Sequence, residues 1–188
     1  MPKTIFTTPV VRHLFYGLSV IILKLAGWKA IGNRDSIPDK AVFVAAPHTT
    51  NWDLPFALML SFQLKLPIYW MGKASIFRFP FGPLMRWFGG IPVERNRSTN
   101  LIDGMIAQFD RTESLLLVIA PEGTRKNVGE WKSGFYHMAH GAKVPLVLGF
   151  VDYPNKQGGV GPLFYTTGDY NADLKEIKTF YQPFKGKH

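Results

Sequence analysis

The residues best suited to acid–base chemistry are a histidine and an aspartate five positions apart, His48 and Asp53. They follow a short apolar run at residues 41–46 and precede a helical pattern, and ligands of open α/β sheets bind where strands end. A carboxylate bonded to one ring nitrogen of a histidine fixes its tautomer, so the other nitrogen becomes a competent general base. Taken alone, this His-x4-Asp pattern is more typical of a polar helix cap beside a surface histidine than of a catalytic pair.

Two arginines also follow extended apolar segments. Arg95 ends the sequence Gly-Gly-Ile-Pro-Val-Glu-Arg, and Arg125 ends Pro-Glu-Gly-Thr-Arg, directly after the apolar run at residues 115–120. A guanidinium at the end of a strand is suited to hold a phosphate through two parallel hydrogen bonds. Separately, each motif is more typical of an ordinary turn with a solvated arginine.

Apolar runs and helical patterns alternate along the chain, and this predicts the elements that carry these residues. The alternation is typical of an α/β layered domain with a mainly parallel central sheet flanked by helices. Thr49, Thr50 and Asn51 are predicted to cap the helix that contains Asp53, and the Gly- and Pro-rich residues 158–162 are predicted to form a loop. The predicted strands are residues 41–46, 68–71, 91–93, 115–120 and 145–151, and the main predicted helices are residues 10–26, 100–110, 133–142 and 173–181.

Length and composition exclude several classes of protein. The chain has 188 residues, which suits one domain spanning residues 1–188. A hydrophobic content of 46% excludes a disordered chain. The sequence contains no cysteine, so a disulfide scaffold, a cysteine–zinc site and covalent catalysis by a thiol are all excluded.

The positive charge is concentrated in two segments. Lysine and arginine number 22 and aspartate and glutamate 13, a net charge of +9. Residues 1–34 hold five basic and no acidic residues, and residues 65–97 hold six basic residues and one acidic residue. A basic, aromatic-rich chain suits nucleic acid, an anionic membrane surface or an anionic small substrate as a partner.

The N-terminal segment is predicted to form an amphipathic helix. Its uncharged stretch of ten residues is too short for a bilayer span, which needs about 17–25 residues. One interpretation is an ordinary helix packed on the domain. The other is a membrane-interface helix within residues 1–30, with Trp28 at the headgroup level and three basic residues facing anionic lipid, namely Arg12, Lys24 and Lys29.

The order of the motifs resembles that of the phospholipid acyltransferase family, the glycerolphosphate and lysophosphatidate acyltransferases. The resemblance covers residues 31–152, the motif-bearing core, and leaves residues 153–188 as a C-terminal extension. Lys73 and the segment from Lys132 to Ala139 also resemble family positions. The matching blocks are residues 48–53, 89–95, 121–125 and 144–148.

The resemblance implies an acyltransferase that moves a fatty acyl group from acyl-CoA or acyl carrier protein to the hydroxyl of a lysophospholipid. The default acceptor is 1-acyl-glycerol-3-phosphate. His48 would act as general base and Asp53 would orient it, with no acyl-enzyme, no cofactor besides the acyl donor and no metal. The implied substrate-binding residues are Lys73, Arg95, Glu122, Gly123, Thr124 and Arg125.

We expect a peripheral or monotopic protein on the cytoplasmic side of the cell membrane, since the absence of cysteine fits a reducing cytosolic face. The Phe-rich segment 76–88 would cover the acyl chain, contact lipid or simply pack against the domain.

Two alternative functions stay open. One is a non-enzymatic basic module that binds anionic lipid or nucleic acid, although nucleic acid is not the expected partner because the aromatic residues do not alternate with basic ones. The other is a metal-dependent hydrolase that adds His137 and His140 to His48 and Asp53.

Overall fold

The computed structural model of the chain describes residues 3–93, 98–123 and 130–187. Within these residues, six α-helices and seven strands follow one another largely in alternation. The strands are β1 (Lys29–Ile31), β2 (Lys40–Ala46), β3 (Ile68–Lys73), β4 (Gly90–Val93), β5 (Leu115–Ile119), β6 (Leu146–Asp152) and β7 (Gln157–Phe164). The helices are α1 (Pro9–Leu25), α2 (Asp53–Gln63), α3 (Gly82–Trp87), α4 (Ser98–Arg111), α5 (Gly134–Ala142) and α6 (Tyr170–Tyr181).

The described strands form one sheet in the order β1-β7-β6-β2-β5-β3-β4. All neighbouring strands in it are parallel except β6 and β7, which are antiparallel. The predicted fold class, a mainly parallel sheet flanked by helices with an additional N-terminal helix, is therefore confirmed. Because β2 lies between β5 and β6, the carboxyl ends of these three strands meet at one edge of the sheet.

Alternate residues of β2 face two different cores. Val42 and Val44 pack in one cluster with side chains of α4, α5 and α6. Ala41 and Phe43 pack in a second cluster with the N-terminal residues and the end of α2. Since successive strand side chains point to opposite faces, the sheet forms the middle layer, and a strand buried on both faces is continuously apolar.

The prediction of a loop at residues 158–162 is wrong, because these residues lie in β7. Glycine fits this strand because its neighbours come close: a Cβ on Gly159, whose φ is 153°, would lie 1.9 Å from the carbonyl oxygen of Ile31. Pro162, which has no N–H to donate, lies where the register between β6 and β7 shifts. Glycine and proline therefore mark close strand contact and a bulge here, not a connection.

Trp28 does not lie at a membrane surface, so that part of the interfacial interpretation is wrong. Its side chain is only 8% exposed, and its ring stacks on Phe56 at a centroid distance of 4.2 Å. Gly27, with a φ of 75°, turns the chain after α1, and the Trp28 N–H donates to the carbonyl of Leu23. The turn directs the indole inward against α2.

Candidate active site

The loop between β2 and α2 brings the predicted pair together. His48 Nδ1 lies 2.9 Å from Asp53 Oδ2, and the same oxygen accepts the backbone N–H groups of Thr49 and Thr50 at 2.8 and 2.9 Å. Helix α2 begins at Asp53 with Trp52 as its N-cap, so the predicted capping role of residues 49–51 is wrong. Threonines 49 and 50 instead donate their backbone N–H groups to the Asp53 carboxylate, which closes the loop.

The second oxygen of Asp53 is held from another strand. The hydroxyl of Tyr153, directly after β6, donates to Asp53 Oδ1 at 2.7 Å. Burial raises the pKa of Asp53, but the hydrogen bonds from His48, Thr50, Tyr153 and Thr49 outweigh it and hold that pKa below its ordinary value of 3.8. Asp53 is therefore a carboxylate at neutral pH and accepts from His48 Nδ1–H, which leaves Nε2 as the nitrogen able to take a proton.

Glu122 joins the Pro-Glu-Gly-Thr-Arg block to the His48 loop. It follows β5, the parallel neighbour of β2, and its Oε2 accepts the backbone N–H of His48 at 2.8 Å. The pKa of Glu122 is raised above its ordinary value, mainly by burial and to a smaller extent by the negative charge of Asp53. The hydrogen bond from the His48 backbone and the charge of His48 lower this pKa but do not cancel the rise. Glu122 thus anchors the backbone of His48, a role that the sequence patterns did not predict.

A cleft of about 1510 Å³ opens beside this pair. It is lined by five of the eight predicted site residues, which are His48, Asp53, Lys73, Glu122 and Gly123. Arg95, Thr124 and Arg125 lie outside the described residues. Lys132 also lines the cleft, and its side chain passes over Gly123, where a Cβ would come within 3.0 Å of it.

The cleft continues into an apolar space between α2 and the sheet. Its walls there are aliphatic and aromatic side chains, contributed by α2, β2, β3 and β5. Examples are Ala57, Leu60, Phe43, Ile68 and Val118. A cleft lined by titratable groups in one part and by apolar side chains in another suits an amphipathic ligand.

The segment after α6 supports the same loop. The backbone N–H of Lys187 donates to Thr49 Oγ1 at 2.9 Å, and a Cβ on Gly186 would lie 2.3 Å from Thr49 Cγ2. Phe184 stacks on Phe150 of β6 at 4.2 Å. Residues from the predicted C-terminal extension therefore contact the loop between β2 and α2. No pattern in the sequence indicated this contact.

The two histidines of the metal-dependent alternative lie on α5. The ring of His140 stacks on Tyr136 at 6.0 Å, and its Nδ1 lies 3.0 Å from Thr166 Oγ1. The ring of His137 stacks on Tyr170 at 6.1 Å, and neither histidine lines the cleft. Among the described residues, no group of three or more histidine, aspartate and glutamate side chains is placed to hold a metal ion.

Known proteins share both sequence and fold with this chain. A curated relative, a probable 1-acyl-sn-glycerol-3-phosphate acyltransferase of Mycoplasma pneumoniae, is 28% identical over 144 residues, or 70% of this chain. The match covers 52% of that relative, so the chain spans about half its length. The crystal structure of the 1-acyl-sn-glycerophosphate (LPA) acyltransferase PlsC from Thermotoga maritima covers 92% of this chain and 77% of its own, with a TM-score of 0.64 and 14% identity.

The structural likeness, at that low identity, shows the shared fold alone. The sequence itself matches a family model, described as Acyltransferase, over residues 30–148. These residues are more than half of the chain and include all four motif blocks that suggested the resemblance. The chain therefore belongs to the acyltransferase family.

Proposed function

We propose that this protein transfers a fatty acyl group from a thioester, acyl-CoA or acyl carrier protein, to the free hydroxyl of a lysophospholipid. The acceptor that the curated relative's name suggests is 1-acyl-glycerol-3-phosphate. The observation that carries the proposal is the His48–Asp53 pair, with Nδ1 and Oδ2 2.9 Å apart, in a cleft that is also lined by two lysines and by many apolar side chains.

The proton path follows from the orientation of His48. With Nδ1–H donating to Asp53, Nε2 takes the proton of the acceptor hydroxyl as its oxygen attacks the thioester carbonyl. The Asp53 carboxylate stabilises the imidazolium that forms. When the tetrahedral intermediate collapses, the C–S bond breaks and the imidazolium returns its proton to the departing thiolate.

Direct transfer of this kind needs no acyl-enzyme. The chain has no cysteine and no Gly-x-Ser-x-Gly sequence, the strand–turn–helix motif that presents a nucleophilic serine. The acceptor hydroxyl is then the nucleophile, and the work of the protein is to remove its proton and align it with the carbonyl.

The charged and apolar parts of the cleft suit the two ends of such substrates. Lys73, at the end of β3, and Lys132 line the same cleft as the predicted pair, and an ammonium group binds phosphate as a compact point charge. We assign the acceptor phosphate to these lysines together with Arg95 and Arg125. The fatty acyl chain would occupy the apolar space between α2 and the sheet.

We expect the wild-type protein to release free CoA thiol when it is mixed with acyl-CoA and 1-acyl-glycerol-3-phosphate. A panel of acceptors, read by a thiol-reactive dye, tests this: lysophosphatidate, neutral lysolipids without a terminal phosphate, glycerol 3-phosphate and no acceptor. Release should be at least about tenfold faster with the phosphate-bearing lysolipid, because one lost charge-assisted contact alone costs about that factor.

The controls separate this proposal from its alternatives. A run with acyl carrier protein thioester in place of acyl-CoA identifies the donor. Loss of activity on addition of a chelator would favour the metal-dependent hydrolase instead. Thiol release that is equally fast without any acceptor would mean that the protein hydrolyses thioesters, and no release with any acceptor or donor would contradict the proposed function.

The outer face of α1 supports a position on a membrane surface. Five exposed apolar residues spaced four, four, three and four positions apart lie on one side of the helix, namely Val10, Leu14, Leu18, Ile21 and Leu25. A further apolar group precedes α3, where Phe79 is 94% exposed and Phe81 63% exposed. No helix among the described residues has the length and apolar character to cross a bilayer. We propose that α1 lies in the interface of an anionic membrane, parallel to its surface.

We expect the triple substitution of Leu14, Ile21 and Leu25 by glutamine to weaken binding to anionic liposomes by about 100-fold. Each buried apolar side chain contributes on the order of 1 kcal/mol or more to membrane partitioning, so three together give a loss of this size. Flotation with liposomes of phosphatidylcholine and phosphatidylglycerol measures it.

Substitution is a cleaner test than removal of the helix. Ile5 and Leu23 are fully buried, so a truncated chain would lose part of its core. Tyr165→Gln is the matched control, because Tyr165 is 68% exposed but lies after β7. Equal flotation of the wild type and the triple variant would contradict the interfacial position of α1.

A further inference from the structure

Tyr153 emerges at the same edge of the sheet as His48. It is the first residue after β6, and β6 is the parallel neighbour of β2. Its hydroxyl donates to Asp53 Oδ1 at 2.7 Å, across 100 positions of sequence. The residue lies beyond the segment 30–148 that the family model matches. Its contact with the reactive pair is therefore a feature that the family motifs do not describe.

The ring of Tyr153 is held in place from several sides. It packs edge-on against Trp28 at 5.1 Å and against Phe56 at 5.8 Å. Its backbone N–H donates to the carbonyl of Lys185 at 3.0 Å, and its own carbonyl accepts from Lys156. Since side chain and backbone are both fixed, the hydroxyl is presented to Asp53 in one orientation.

The Asp53 carboxylate needs a partner on each oxygen to keep its plane fixed. Within the described residues, Oδ2 accepts from His48, Thr49 and Thr50, while Oδ1 accepts from Tyr153. The torsion of an aspartate carboxylate is broad, so the Tyr153 hydrogen bond limits its rotation. Burial, together with the bond to Asp53, raises the pKa of Tyr153 far above its ordinary value, so the phenol remains a donor throughout the neutral range.

From this geometry we infer that Tyr153 is a positioning residue for the general base: it orients Asp53 and, through Asp53, the ring of His48. The inference rests on the proposed function, in which His48 takes the proton of the acceptor hydroxyl. Tyr153 touches neither reacting atom in this scheme. Its effect is on the geometry and charge of the pair, so it should change turnover more than substrate binding.

The hydrogen bond also determines how readily the pair takes up a proton. The titratable groups that face Asp53 are His48 from its own loop, Tyr153 from the β6 side and Glu122 from the β5 side. Glu122 is in turn faced by Tyr181 of α6, and two lysines, Lys73 and Lys132, line the adjoining cleft. The Tyr153 hydrogen bond favours the carboxylate form of Asp53. Without the Tyr153 hydrogen bond, the His48–Asp53 pair should bind a proton at higher pH. The acid limb of the profile of rate against pH reports the pair as a unit, so it should move to higher pH.

The Tyr153→Phe variant tests the inference, because it removes one oxygen and leaves the ring packing intact. We expect kcat for thiol release to fall about tenfold, the loss for one hydrogen bond to a charged group. The KM for the lysophospholipid should stay within about twofold, since uniform binding is not affected. The acid limb of the profile of kcat/KM against pH should move to higher pH.

A matched control is available in another tyrosine–aspartate pair. Tyr136 donates to Asp173 at 2.7 Å in a buried contact between α5 and α6. Tyr136→Phe should lower Tm by about 2–6 °C and leave kcat and the pH profile unchanged. The contrast separates an effect on the reactive pair from general loss of a buried hydrogen bond.

The outcomes distinguish the inference from the proposal beneath it. A wild type that releases no thiol contradicts the proposed function itself. An active wild type with a Tyr153→Phe variant of equal kcat and equal pH profile overturns the positioning role alone. The positioning role is also overturned if kcat falls equally in Tyr153→Phe and Tyr136→Phe and the acid limb does not move in either variant. The loss of a buried hydrogen bond would then explain the lower kcat.

Discussion

Replacement of His48 by alanine should reduce thiol release by about 1000-fold, the middle of the range of roughly 100-fold to 10,000-fold for loss of a general base. The acceptor hydroxyl would then have to lose its proton to water. The fold should survive the change, because the contact of this residue with Glu122 is made by its backbone N–H, which alanine retains. Initial rates with acyl-CoA and lysophosphatidate, together with a circular dichroism spectrum, measure both effects.

His137→Ala is the matched control for this variant. His137 is an exposed histidine on α5 that packs beside Tyr170, and its replacement should leave the rate unchanged. Full activity in His48→Ala would exclude the general-base mechanism. Equal losses in both variants would instead favour the metal-dependent alternative, in which the two histidines act together.

Replacement of Asp53 by asparagine should reduce kcat by about 100-fold, because the neutral amide cannot stabilise the imidazolium. The amide also turns one acceptor oxygen into a donor. Each oxygen of the native carboxylate faces a donor, three on Oδ2 and Tyr153 on Oδ1 within the described residues. The KM for the acceptor should change less than kcat, and steady-state kinetics with varied lysophosphatidate separates the two.

The stability of Asp53→Asn should depend less on pH than the stability of the wild type. The pKa of Asp53 is lower in the folded chain than its ordinary value of 3.8. The carboxylate therefore contributes stability that is fully present above about pH 4 and is lost as the pH falls through the lowered pKa. Between pH 5 and pH 2 the Tm of the wild type should consequently fall more steeply than that of Asp53→Asn.

Asp173→Asn is the control for both measurements, kcat and the change of Tm with pH. Asp173 is also buried, accepts a hydrogen bond from Tyr136 and has a lowered pKa, but it lies on α6 outside the cleft. Its replacement should alter stability and leave kcat near the wild-type value. A normal kcat in Asp53→Asn would contradict the role assigned to the His48–Asp53 pair.

The His48–Asp53 contact was predictable because it is local. Five positions separate the two residues, and a strand end followed by a helix start leaves few arrangements of the connecting loop. The strands themselves were predictable because β2, β5 and β6 are buried on both faces and so read as continuous apolar runs. Lys73 ends β3, and Glu122 and Gly123 follow the neighbouring strand β5, which explains why they line one cleft.

Predictions failed where a residue type has more than one structural use. Glycine and proline at residues 158–162 suggested a loop but permit close strand contact in β7. An aromatic residue next to a basic helix suggested the membrane surface, yet Trp28 packs against Phe56. In both cases the deciding factor is a neighbour from a distant part of the chain, which local patterns do not contain.

The amino-acid sequence by itself determined the five strands β2 to β6, the pair that carries the proposed chemistry and the family to which the chain belongs. These features depend on residue type, local periodicity and short spacing. The tertiary structure decided what holds the pair: Glu122 on the backbone of His48, Tyr153 on Asp53 and Lys187 on Thr49. Those contacts join residues 74 to 138 positions apart. The first two exist because the parallel sheet brings the ends of β2, β5 and β6 to one edge, and the third because the segment after α6 packs against the same loop.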